Sequence, residues 1–237
     1  MAQPIGISFP KSGRTWLRAV LRRAKVKLTF THAGHGSRGR ELGRAFMAVP
    51  AELADRPVLL LHRNPLDTAV SFFFQVTAKD FAPGTLRHAQ RIVPLWLGGR
   101  LPPRDVDAFV LDPNYGVEAI CLFNRGWIDH AAARDDSLIV TYEALRADPR
   151  GGFAEVLRFL GREPEGVDAL VEAASFANMR AREEARAGNK RGFLRPDRSQ
   201  ENTRKVRRGK VAGYVDYLDP ATIAKARAIA GRYGFDA

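Results

Sequence analysis

Short continuous apolar runs alternate along this chain with stretches whose apolar positions recur every three or four residues. Pro4–Phe9 is the first run and predicts a strand, and Thr15–Arg23 predicts the helix behind it. Lys27–Phe30 predicts a second short strand, which runs into the glycine-rich THAGHGSRG, a loop. Glu41–Ala54 is partly helical in pattern. Val58–His62 is unbroken apolar, the pattern of a central parallel strand. A helix is predicted from Pro65 to about Ala78, with Asn64 as its cap and Asp67 suited to its first turn. Asp67 is expected to cap or pair locally. Ser137–Thr141 predicts another strand, and Phe153–Leu160 and Ala221–Tyr233 predict helices. Asp80–Arg104 is less regular and is expected to form part of a lid or acceptor wall. The alternation predicts a three-layer α/β fold with a mostly parallel central sheet. The 237 residues fit a single domain spanning residues 1–237.

Charge changes the picture more than bulk composition does. The formal net charge is +12, enough to steer either a polyanion or a small phosphorylated ligand. Arg180–Lys210 carries 12 Lys and Arg against 4 Asp and Glu. It is expected to be a mobile segment that orders on an anion, the alternative being a solvated basic surface. The single cysteine, Cys121, excludes an intrachain disulfide and lies in the apolar run AICLF, as a buried small residue would. No secretory leader is expected at the start, and no run reaches about 18 apolar residues, so membrane insertion is not expected. A cytoplasmic enzyme is the default expectation.

The candidate chemistry begins at Lys11. It stands between a strand end and a helix start, where backbone N–H groups already favour an anion. Ser12 and Thr15 add hydroxyl donors, and Gly13 permits close backbone approach. The spacing of a Walker A loop is absent, and Val58–His62 ends in His62-Arg63 rather than in an acidic magnesium ligand. Cations and hydrogen-bond donors alone are therefore expected to hold the anion, with no metal. A second group follows in HRNPLDTAVSFFF. Arg63 stands at the C-terminal end of a central strand, where open α/β sheets bind ligands. Its guanidinium can grip a phosphate with two donors, and Ser71 can complete the contact. Phe72–Phe74 divide between core and acceptor wall.

At these residues the chain resembles the sulfotransferases that use 3′-phosphoadenosine-5′-phosphosulfate (PAPS). Pro10-Lys-Ser-Gly-Arg-Thr-Trp16 is close to that family's P-K-S-G-T-T-W, with Arg14 in place of the first threonine. Arg63-Asn-Pro-Leu-Asp-Thr-Ala-Val-Ser71 matches R-[ND]-P-x-D-x-x-V-S throughout. Arg207-Arg208-Gly209 resembles the R-K-G loop. The resemblance implies a P-loop-like nucleotide fold and a PAPS donor leaving as 3′-phosphoadenosine-5′-phosphate (PAP). It implies that Lys11, Ser12, Gly13, Arg14 and Thr15 hold the 5′-phosphosulfate side and that Trp16 stacks on adenine. Arg63, Ser71 and the Arg207–Gly209 loop would hold the 3′-phosphate. Tyr142, in a Y-E-A-L run similar to Y-E-D-L, would sit near the nucleoside. Phe176, in a segment similar to T-S-F, would lie against adenine.

Direct sulfuryl transfer to a hydroxyl or amine needs a base, and histidine titrates near neutrality. Phe30-Thr31-His32 resembles the family's K-T-H segment, which implies that His32 is the base. His35 and Glu41 are the alternatives. Lys11 would stabilise the departing phosphate oxygen, and Ser71 would couple the 3′-phosphate to the position of Lys11. His62 points away from Arg63 by strand alternation and is expected on the core side. Two rival readings stay open. One is a nucleotide or small-molecule kinase. The other is a basic nucleic-acid-binding module, although no specific nucleic acid is expected. The acceptor is a small molecule or a saccharide; Phe72–Phe74 and Trp96 suit a small hydrophobic molecule, and the arginine-rich C-terminal third suits an anionic saccharide or a phosphorylated metabolite. The oligomeric state stays open.

Overall fold

The computed structural model describes residues 2–32, 49–77, 102–186 and 209–236, with residues 182–186 described through their backbone alone. Among the described residues four strands form one sheet: β1 (Ile5–Ile7), β2 (Thr29–Thr31), β3 (Val58–His62) and β4 (Leu138–Thr141). Their order is β2-β1-β3-β4, and every pairing is parallel. Ile7 lies opposite Thr31 on one side and Leu60 on the other. Leu60 in turn faces Ile139.

The five residues of β3 show why the sheet is covered on both faces. Successive side chains of a strand point to opposite sides. Val58 and Leu60 enter one core, and Leu59 and Leu61 enter the other. The first core also takes Ile5, Ile7 and Phe9 and is closed by α2 (Pro65–Thr77), α3 (Val106–Leu111), α4 (Val117–Ala132) and α9 (Pro220–Arg232). The second is closed by α1 (Arg14–Arg23), α5 (Tyr142–Ala147), α6 (Pro149–Phe159) and α7 (Val167–Ala173). One more helix, α8 (Phe176–Arg186), follows α7. The expected three-layer α/β architecture with a parallel sheet is thus the one found. Among the described residues no helix is long and apolar enough to cross a membrane.

Boundaries move by a few residues. The first strand shortens to Ile5–Ile7, and the second shifts from Lys27–Phe30 to Thr29–Thr31. The helix expected over Phe153–Leu160 begins earlier, at Pro149, because the Asp148 side chain accepts the Gly151 N–H and proline occupies the first turn. Asn64 does cap α2: its Oδ1 accepts the N–H groups of Leu66 and Asp67 at 2.9 and 3.1 Å. The helix α4 has no counterpart among the expectations above. Its buried residues Ile120, Cys121, Phe123, Asn124 and Trp127 cover a wide face, so the apolar run around Cys121 carries no clear helical period. Of Glu41–Ala54, only Ala51–Leu53 falls in a described helical turn, a 3-10 one. Most of Asp80–Arg104 and of Arg180–Lys210 lies outside the described residues.

The side chain that couples this frame to the loop after β1 is Phe9. It is fully buried, and its ring meets Phe72 of α2 and Phe123 of α4 edge-on, both at 5.4 Å between centroids. Lys11 follows two residues later. Phe9→Ala opens a cavity directly beneath that loop and should lower the free energy of unfolding by about 3–5 kcal/mol in urea titrations. A loss under about 1 kcal/mol would mean that Phe9 is not the anchor described here.

Candidate functional site

All four strands run in one direction, so all four end on one edge of the sheet. Each delivers a residue to that edge. Lys11 follows β1, His32 follows β2, Arg63 follows β3 and Tyr142 follows β4. The chain leaves β1 for α1 on one face and β3 for α2 on the other. A crevice opens where neighbouring strands send their helices to opposite faces. That point is between β1 and β3, and Lys11 and Arg63 flank it.

The β1–α1 turn is strained in a way that suits an anion. Lys11 has φ 74° and Gly13 has φ 97°, both left-handed. For lysine this costs about 1–3 kcal/mol, a strain that clusters at ligand clamps. A Cβ on Gly13 would stand 2.6 Å from the Tyr142 ring, so only glycine fits. Helix α1 starts without a side-chain cap and without an acidic residue in its first turn. The Arg14 and Thr15 N–H groups and the positive dipole end are therefore available to an anion, whereas the Trp16 N–H is taken by the Gly13 carbonyl at 2.9 Å. Ser12 is fully buried, and its hydroxyl oxygen has no hydrogen-bond partner among the described residues. Arg14 is half-buried; burial, and then the neighbouring Arg18, bring its pKa down to about 10. It remains a cation at neutral pH. Thr15 is exposed. Trp16 is mostly buried; its indole meets Phe153 and Tyr142 edge-on at 5.0 and 6.0 Å, and its Nε1 has no partner.

Beyond the crevice, Arg63 is held from three directions. Its Nη2 lies 3.2 Å from Asp67 Oδ2 and donates to the Lys210 carbonyl at 3.0 Å. Its guanidinium carbon stands 4.5 Å from the centre of the Tyr142 ring, a cation–π contact. Nε is buried without a partner. The Tyr142 hydroxyl donates to the Gly209 carbonyl at 3.2 Å, and burial holds its pKa above the usual phenol value against the pull of Arg63. A Cβ on Gly209, whose φ is 62°, would stand 2.9 Å from the Phe176 ring. The structure thus brings Gly13, Trp16, Arg63, Tyr142, Phe176 and Gly209 into one continuous cluster. Ser71 is half-buried on α2, four residues after Asp67 and so on the same helical face. Arg207, Arg208, His35, Glu41 and Trp96 lie outside the described residues.

His32 hangs on the neighbouring strand's backbone. Its Nδ1 is 2.5 Å from the Ser8 carbonyl. A carbonyl only accepts, so Nδ1 carries hydrogen and the lone pair of the neutral ring sits on Nε2. His62 points the other way, onto the ring of Phe235 at 6.2 Å, and burial, then Arg125, lower its pKa to about 4. Phe72 and Phe73 are core residues, and Phe74 packs on Tyr217 at 5.1 Å.

Two tethering residues went beyond what sequence reasoning assigned them. Asp67 pairs locally with Arg63, as expected, but its carboxylate also accepts the N–H groups of Ala212 and Tyr214, both at 3.0 Å. Glu143 accepts the Asn64 N–H at 3.0 Å and so ties the turn after β4 to the turn after β3. The only advance sign for Asp67 was a carboxylate standing among Leu66, Thr68 and Ala69, where a solvated charge does not belong.

A parallel α/β sheet with two cationic stations at its switch point defines a binder of phosphorylated nucleotides or related polyanions. The sequence pattern of the sulfotransferase domain matches residues 49–232, and the chain belongs to that family. The Lys11 turn precedes the matched stretch. No curated protein matches the chain by sequence. Solved structures that resemble it include mouse sulfotransferase SULT7A1 complexed with PAP, at 18% identity and TM-score 0.68 over 98% of this chain and 83% of that one. Retinol dehydratase in complex with androsterone and inactive cofactor PAP resembles it at 16% identity and TM-score 0.56, over 98% and 80%. These likenesses establish the fold.

The half-buried His62 makes stability depend on pH. Its folded pKa lies below the unfolded value, so the unfolded chain binds the proton more readily. The stabilisation is complete above pH 6.5 and is lost as pH falls toward about 4. Urea midpoints at pH 7 and 4.5 should fall further for the unaltered protein than for His62→Asn. Parallel falls in the two proteins would refute this role.

Proposed function

We propose that this chain transfers a sulfuryl group from PAPS to a hydroxyl or amine of a small-molecule acceptor. The observation that carries this reading is the pair of anion stations flanking one crevice, the α1 N-terminus with Lys11 on one side and Arg63 with Tyr142 on the other. PAPS carries two separated anionic ends, a 5′-phosphosulfate and a 3′-phosphate. The residues present fit it. Ser12 Oγ and Arg63 Nε are buried donors without partners among the described residues, and Gly13 and Gly209 leave space that a Cβ would fill. Lys11, Ser12, Gly13, Arg14 and Thr15 would hold the phosphosulfate end, and Arg63, Ser71 and the loop at Arg207, Arg208 and Gly209 the 3′-phosphate. Trp16, Tyr142 and Phe176 would form the aromatic wall for adenine. The neighbours solved with PAP support the assignment by analogy of fold. The acceptor class is supported by a retinol dehydratase solved with androsterone and again with retinol.

When bound, the donor supplies a sulfuryl group that can be displaced in line, with PAP as the leaving group. His32 receives the acceptor proton on Nε2, and the Ser8 carbonyl steadies the imidazolium through Nδ1–H. The Lys11 ammonium offsets the negative charge that grows on the departing phosphate oxygen. The Arg14 and Thr15 N–H groups at the start of α1 share that task. The chemistry is proton transfer plus a preorganised positive field. We also read the whole chain, residues 1–237, as a single domain.

Calorimetry tests the donor assignment. The protein should bind PAP in the presence of a chelator, and Arg63→Ala should weaken that binding about 10- to 100-fold. Preference for ATP with magnesium would favour a kinase, and salt-sensitive oligonucleotide binding without nucleotide selectivity a nucleic-acid module.

Kinetics test the two catalytic roles. With a poorly acidic alcohol, Lys11→Ala should lower kcat on the order of 100- to 1,000-fold. His32→Gln should lower it on the order of 100-fold or more and remove the ascending limb of the pH–rate profile. Near-complete activity in His32→Gln would exclude His32 as the base.

A further inference from the structure

Asp67 is 4% exposed, in the first turn of α2, yet all the polar contacts of its carboxylate lead to the nucleotide side of the sheet. Oδ2 takes Arg63 Nη2 at 3.2 Å and the Ala212 N–H at 3.0 Å. Oδ1 takes the Tyr214 N–H at 3.0 Å. The last two contacts join residues 145 and 147 positions apart. Arg63 returns a bond to the same segment, from Nη2 to the Lys210 carbonyl at 3.0 Å. A carboxylate and the arginine four residues before it therefore hold residues 210, 212 and 214 together. The segment needs such a hold. Ala212 sits at φ 55°, a left-handed conformation that alanine adopts only under constraint. The Gly213 backbone lies alongside the carboxylate: a Cβ there would stand in ordinary contact with Asp67 Oδ1, at 3.6 Å. A buried carboxylate of this kind carries a desolvation cost, and removing it alone leaves the Arg63 charge and two N–H groups without their acceptor. An apolar residue in its place would neither orient Arg63 nor seat the returning segment.

We propose that Asp67 is a positioning residue that clamps the segment Gly209–Tyr214 onto Arg63 and thereby sets the affinity of the site for the 3′-phosphate of PAP. The proposal rests on the nucleotide reading above. Asp67 meets no nucleotide itself; it fixes the direction of the Arg63 guanidinium and closes the wall formed by Tyr142, Phe176 and Gly209. Asn in its place keeps the size, but the amide nitrogen then confronts one of the two N–H groups, and the charge facing Arg63 is gone.

The test uses full-length protein with PAP as the probe. Asp67→Asn should raise the Kd for PAP about tenfold and the KM for PAPS by a similar factor, leaving kcat at saturation within about twofold. Amide hydrogen exchange should quicken at Ala212 and Tyr214 and stay unchanged in β1 and β3. Ala212→Pro removes one clamped N–H from an exposed segment and, because proline fixes φ at about −65°, also forbids the left-handed turn that the clamp holds there; it should weaken PAP binding in the same direction. Unchanged PAP affinity in Asp67→Asn would overturn the proposal. So would an affinity loss matched by faster exchange throughout β1 and β3, with Ala212→Pro binding PAP normally. Should Asp67→Asn fail to fold, Ala212→Pro alone decides. If the unaltered protein binds no PAP, the nucleotide reading falls, and exchange at Ala212 and Tyr214 still decides whether the clamp exists.

Discussion

The all-parallel pairing of four strands is the constraint on which the rest of the structure depends. A parallel strand cannot return by a tight turn; the chain must cross over a face of the sheet first. Every strand therefore ends on the same edge, and the residues just after β1, β2, β3 and β4 meet there although they are scattered from Lys11 to Tyr142. The same pairing requires that both faces be covered. That is why β3 is apolar at successive positions, with Val58 and Leu60 in one core and Leu59 and Leu61 in the other. Because α1 and α2 cover opposite faces, the edge splits between β1 and β3. The crevice is a consequence of topology, and its cationic lining is a consequence of what the sequence places at two strand ends.

Topology alone leaves the crevice open on the side of Arg63, and the C-terminal part of the chain closes it. The closing segment has few apolar anchors of its own: Val211 and Val215 are exposed, and Tyr214 is its buried side chain. Directional bonds must therefore set its path. They come from a buried ion pair, Arg63–Asp67, and from the Tyr142 hydroxyl. Three non-glycine residues among those described have left-handed backbone, Lys11, Lys25 and Ala212, and two of them, Lys11 and Ala212, border the crevice.

How much of this was legible in the sequence follows from which forces act locally. The strands and the helices α1, α2 and α9 could be read because burial imposes a period over a few residues, and Asn64 could be read as a cap because capping is local. The Lys11 and Arg63 runs could be read because each places its chemistry within a single turn. The longest described helix, α4, escaped because its buried face is too wide to leave a period around Cys121. The reach of Asp67 to Ala212 and Tyr214 escaped for a different reason. A carboxylate four residues after an arginine already has a local partner, and nothing in a linear pattern signals that two N–H groups some 145 residues away share it. The strain at Lys11 was equally hidden, since lysine gives no sign of a positive φ.

The division of labour between strands explains how such a site keeps its spacing. Strand β1 leads into the anion turn, and just past its end the Ser8 carbonyl holds His32 across from β2. Base and cation thus refer to one stretch of backbone, and neighbouring strands lie about 4.8 Å apart. The distance between them is set by a ladder of hydrogen bonds rather than by side-chain rotamers. Arg63, on the other side of β1, is referred to the same ladder through the Ile7–Leu60 register. Sites built on strands and helices are more exact than sites built on loops alone. Here the loops carry the reactive groups, but each stands within four residues of a strand end. The returning segment at Gly209–Tyr214 lacks that support, and it is the part to which the buried carboxylate is devoted.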